Sequence, residues 1–131
     1  MYGGYYLPPD CTTGFTVRHS SGTLGVTTAG HCPEPMSYNG TNLPLQQHVF
    51  QGCLDLQWHT TPGFTDDNWF SIDADTSPEK QITGVYGRDS QPMGWSACKY
   101  GRITGLDCGT VASRTFSPGY VPYRTATLHA T

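Results

Sequence analysis

Apolar residues in this chain come in short alternating or β-branched runs separated by glycine, proline, asparagine and aspartate, with no sustained helical spacing. On that pattern, strands are expected over residues 12–17, 24–28, 47–50, 54–60, 68–72, 82–86, 96–100, 104–113 and 120–128. Turn-forming dipeptides, Ser21-Gly22, Asn39-Gly40, Pro62-Gly63 and Pro118-Gly119, fall between the runs. The stretch 73–92 is polar throughout, has room for at most one short strand, and reads as a linker between two halves. The expected fold is all-β, as two small barrels, and a sandwich fits the strand count nearly as well. The corresponding division is an N-terminal arm over 1–10, a first β-unit over 11–75, a linker over 76–93 and a second β-unit over 94–131.

The length of 131 residues suits one compact domain or a pair of small lobes. Charged residues make up 13% of the chain and the net charge is −3. With no basic cluster, the sequence argues against nucleic acid as a main partner, because phosphate binding needs a concentrated Lys/Arg face. No apolar run approaches the roughly 20 residues of a membrane span, so no membrane partner is expected. The segment 1–9 is rich in Tyr, Gly and Pro and has neither the basic nor the apolar region of a signal peptide. It reads as a surface arm.

Five cysteines, Cys11, Cys32, Cys53, Cys98 and Cys108, form neither a Cys-x-x-Cys pair nor a tight Cys/His cluster. Disulfides in an oxidising compartment are therefore the better reading than a structural zinc site. The odd number leaves one thiol free or paired with sequence outside this chain.

The most informative segment runs from Cys11 to Cys32. It reads as a hairpin of two apolar strands around Ser21-Gly22, with a cysteine at each outer end and Thr28-Ala29-Gly30-His31-Cys32 closing it. A bridge between those cysteines would staple the hairpin and hold His31 at a strand terminus, the fixed placement that a general base needs. Thr28-Ala29-Gly30-His31-Cys32, preceded by a Cys-x-x-Gly-Phe strand, resembles the histidine signature of the chymotrypsin-like serine peptidases, and most of all their bacterial secreted branch. The resemblance implies a chymotrypsin-like double β-barrel, His31 as the base of a catalytic triad, and a Cys11–Cys32 disulfide. The family also has an aspartate that orients the imidazole, and Asp55, which opens the run Asp55-Leu-Gln-Trp-His-Thr60, is the candidate. Its rivals Asp66, Asp67, Asp73 and Asp75 lie in turn-like polar stretches. Further on, Cys98-Lys-Tyr-Gly-Arg-Ile-Thr-Gly-Leu-Asp-Cys108-Gly resembles a hairpin of the family's second barrel, with a spacing difference at Ile103, and this implies a Cys98–Cys108 disulfide.

The family's serine lies in Gly-Asp-Ser-Gly-Gly, and that string is not present. The nearest echo, Gly87-Arg-Asp89-Ser90-Gln91-Pro92, lacks both following glycines, and its proline has no N–H for an oxyanion hole. The expectation is a secreted, extracellular serine endopeptidase truncated before its serine, its second barrel incomplete. No cofactor and no metal are expected. The expected partners are a protein or peptide substrate and a missing C-terminal segment of the same enzyme. The alternative is a catalytically inactive homologue that binds a protein or glycan. His19, His48, His59 and His129 are expected at surface or satisfied core positions, Trp58, Trp69 and Trp95 in the core or in strand pairs, and Asp66-Asp67 in a solvated turn.

Overall fold

At Ser21-Gly22 the chain reverses as its turn residues dictate: Gly22 adopts a φ of +89°, His19 N donates to Thr23 O, and Gly22 N donates to His19 O. The strands on either side form the hairpin that carries His31. The structure, a computed structural model, describes residues 1–52, 54–72 and 79–115. Cys53, Asp73, Asp75, His129 and the strand expected over 120–128 lie outside those residues.

The elements in order are β1 (Tyr6–Leu7), β2 (Cys11–Thr12), β3 (Thr16–Arg18), β4 (Leu24–Thr28), β5 (Ser37–Tyr38), β6 (Thr41–Asn42), β7 (Leu45–Gln51), β8 (Leu54–Thr60), β9 (Trp69–Ser71), β10 (Glu79–Gln81), β11 (Ser96–Gly101) and β12 (Gly105–Thr110). A single 3-10 turn over Arg88–Ser90 is the only helical element among the described residues, and the fold is all-β. The largest sheet is antiparallel, in the order β3-β4-β8-β7, and the other strands pair two by two as β1-β2, β5-β6, β9-β10 and β11-β12.

Several expected strands change where backbone partners change. The run 12–17 divides in two because Thr13 N bonds Tyr5 O while Gly14 N bonds Thr27 O, so the chain leaves β1 and joins β4 at that point. Residues 82–86 are not a strand. The ladder forms three residues earlier, with Glu79 opposite Ser71 and Gln81 opposite Trp69, and closes where Ile82 N donates to Asn68 O. The segment 1–9 is no surface arm either. Leu7 is fully buried, Gly4 N donates to Thr13 O, and Met1 and Leu7 pack with Val26, Met36, Leu43 and the Cys11–Cys32 pair in the hydrophobic core. In β8 the polar residues Gln57 and His59 are buried, while Leu54 and Leu56 are exposed.

Both cysteine pairs are bonded. Cys11 joins β2 to the turn after β4 across a separation of 21 residues, and Cys98 and Cys108 stand directly opposite each other in β11 and β12. The tip of that second hairpin reaches back to the first, where Arg102 N donates to Thr12 Oγ1 at 3.0 Å.

Close approach decides one glycine. A Cβ on Gly30 would stand 2.6 Å from Val49 O and 2.7 Å from Leu56 N, both backbone atoms of the β7–β8 pair. Gly30→Ala is therefore expected to destabilise the fold by roughly 2 kcal/mol through overpacking, measured as a lower denaturant midpoint. Replacing Cys11 and Cys32 together by Ser is expected to cost roughly 3 kcal/mol in the same measurement, because the unfolded chain regains the freedom of a closed loop.

Candidate active site

β4 ends at Thr28, and the chain then turns through Ala29, Gly30, His31 and Cys32, with Cys32 N donating to Ala29 O at 3.1 Å. The disulfide ties the far end of this turn to β2. β8 runs antiparallel beside β4, and Asp55, its second residue, lies opposite Phe50 of β7. The turn and the start of β8 thus meet at one end of the four-stranded sheet.

Asp55 binds His31 twice. Its Oδ2 is 2.7 Å from His31 Nδ1, and its Oδ1 accepts from the His31 backbone N–H at 2.8 Å. One carboxylate therefore sets both the position of the residue and the orientation of its ring. Donation from Nδ1–H leaves Nε2 as the basic nitrogen. The His31 side chain is 60% exposed and that of Asp55 44%. The Phe50 ring stands edge-on to the imidazole at 6.1 Å. Chemically, an imidazole with an acceptor behind Nδ1 and an exposed ring is an arrangement able to serve as a general base.

Asp66 and Asp67 stand elsewhere. The Asp66 side chain is 3% exposed, accepts from Thr61 Oγ1 at 2.6 Å and lies 3.6 Å from the Met1 amino group. It is thus no part of a solvated turn. Asp67 Oδ1 accepts from Asn68 N at 2.7 Å. The Ser90 hydroxyl donates to Gly87 O at 3.0 Å, within its own exposed turn. Beside it, Arg88 holds the Asp89 carboxyl below the usual carboxylate range, first through their hydrogen bond and then through its charge. Among the described residues, no serine hydroxyl hydrogen-bonds the His31 ring.

Two further residues reach this turn, Gln57, which the sequence did not single out, and His48, expected only at a surface or satisfied core position. Gln57 Nε2 donates to Ala29 O at 2.9 Å and to Cys32 O at 3.0 Å, spanning the histidine turn from beneath. His48 Nε2 lies 2.6 Å from Gly30 O. Period-2 spacing from Asp55 was the available signal for Gln57, since alternate residues of a strand share a face. The remaining described histidines, His19 and His59, have local partners. His59 is buried with Nδ1 2.8 Å from Leu43 O and Nε2 3.2 Å from Glu34 Oε1, and His19 stacks on Trp58 with Nδ1 2.8 Å from Ser21 Oγ. Among the described residues, no group of three or more His, Cys, Asp or Glu side chains could hold a metal ion.

Known proteins share this fold. No protein-family model matches the chain. Streptogrisin-C of Streptomyces griseus is 32% identical over 118 residues, which cover 84% of this chain and 24% of that protein. A protease from Nocardiopsis superposes with a TM-score of 0.77 at 26% identity, and protease A of Thermobifida fusca with 0.72 at 27%. Each superposition covers 95% of this chain and 66% of the other. The chain thus spans about a quarter of the curated relative and 66% of the two solved proteases. It is a homologue of the bacterial chymotrypsin-like serine proteases and covers part of their length.

Proposed function

We propose that this chain carries the histidine and aspartate of a secreted serine endopeptidase that hydrolyses peptide bonds through a Ser-His-Asp triad, with the serine supplied by polypeptide outside these 131 residues. The observation that carries the reading is the double hold of Asp55 on His31, at 2.7 and 2.8 Å, with the ring exposed beyond it. In that role His31 Nε2 takes the proton of the serine hydroxyl as it attacks the scissile carbonyl, then returns it to the leaving amine. Asp55 holds the Nδ1–H tautomer and stabilises the imidazolium that forms between those steps. The two disulfides fit an oxidising, extracellular setting. The substrate is a protein or peptide, and the remaining partner is the segment that bears the serine.

The alternative is an inactive homologue that binds a protein or glycan. A fluorophosphonate probe separates the two. A longer polypeptide that includes this chain is expected to be labelled on one serine, with labelling lost in His31→Ala, while the 131-residue chain stays unlabelled. Absence of labelling in every longer form would overturn the peptidase reading. In a labelled form, Asp55→Asn is expected to lower kcat for a peptide substrate by about 10⁴-fold with little change in KM, because it disturbs the tautomer and spares substrate binding.

A further inference from the structure

The turn that carries His31 lies off the end of β4, so its backbone groups cannot all be satisfied by the sheet. Buried carbonyls without partners are costly, and something other than a neighbouring strand has to reach them. Here the partners are side chains from the two adjacent strands. Asp55 takes the N–H of His31, His48 meets the carbonyl of Gly30, and Gln57 donates to the carbonyls of Ala29 and Cys32.

Gln57 is the least replaceable of the three. Its side chain is almost completely buried, its single amide nitrogen has two hydrogens, and both are spent on the residues that bracket Gly30 and His31. Ala29 O also receives Cys32 N, whereas the hydrogen bond to Cys32 O comes from Gln57. Gln57 and Asp55 are two residues apart on β8 and share its face, so one rigid strand sets both the floor of the turn and the acceptor for the ring. No apolar residue of similar size could do the same, because a methylene or thioether has no hydrogen to donate.

We infer that Gln57 is a positioning residue for His31, holding the backbone turn beneath it so that Nδ1 stays in register with Asp55. The inference rests on the reading of His31 as the general base. Gln57 touches no reacting atom and acts only through the turn.

The test is the tautomer of the neutral His31 ring, read from long-range 1H–15N correlations of the labelled chain at mildly alkaline pH. In the unaltered chain the Nδ1–H form is expected to dominate. In Gln57→Met, which keeps the length of the side chain and removes its donors, the ratio of Nδ1–H to Nε2–H is expected to fall about tenfold, the factor that corresponds to one hydrogen bond. Gln47→Met, the same change at an exposed position of β7, is expected to leave the ratio unmoved. An unchanged ratio in a folded Gln57→Met chain, or an equal fall in Gln47→Met, overturns the inference. If Gln57→Met does not fold, the unaltered chain answers through hydrogen-bond couplings from the Gln57 side-chain nitrogen to the carbonyl carbons of Ala29 and Cys32. Couplings to both uphold the clamp, and a missing one overturns it. Neither readout depends on hydrolysis. Failure of the peptidase reading would show as absent probe labelling with a responsive ratio, and failure of the Gln57 role as labelling with an unmoved ratio.

Discussion

The region around His31 depends on how one turn is held. Ala29, Gly30, His31 and Cys32 leave the sheet at the end of β4, and their backbone groups are met by Asp55, Gln57 and His48 from the two neighbouring strands. The bond to Cys32 O is buried, and leaving that carbonyl unmet would cost about 1–3 kcal/mol. The same contacts aim the imidazole. In the proposed reading, stability and chemistry rest on the same bonds, and a change that loosens the turn also releases the ring.

That arrangement explains the inward face of β8. Asp55, Gln57 and His59 alternate with Leu54, Leu56 and Trp58, and the polar set points to the side where the turn and the segment after it need donors and acceptors. His59 extends the pattern past the turn, with its ring between Leu43 O and Glu34. The apolar core lies beside this polar column. It gathers Met1, Leu7, Val26, Met36 and Leu43 around the Cys11–Cys32 bridge, so the covalent staple and the hydrophobic cluster brace the turn from its other side.

The second hairpin is built by different means. Cys98 and Cys108 bond directly across β11 and β12, while Ile103 and Leu106 near its tip are exposed. It meets the first unit through the bond from Arg102 N to Thr12 Oγ1, one residue from Cys11, and through the Tyr100 ring, edge-on to Phe70 at 6.5 Å. The disulfide therefore supplies local order where the described residues offer little apolar burial.

Much of this was legible in the chain itself. The hairpin around Ser21-Gly22, the strands over 24–28 and 54–60, the all-β class and the resemblance carried by Thr28-Ala29-Gly30-His31-Cys32 all follow from local pattern, because turn chemistry and short-range alternation act within a few residues. The sequence also singled out Asp55 for its place at the head of a strand. Tertiary structure alone decided which face of that strand turned inward. It also decided that Met1 and Leu7 enter the core, and that the run 12–17 breaks where its backbone changes partner from Tyr5 to Thr27. These outcomes depend on groups far apart in sequence. Gln57 lies 28 residues from Ala29 and 25 from Cys32, and a glutamine in an alternating run reads as solvent-facing until the carbonyls it must satisfy are in view.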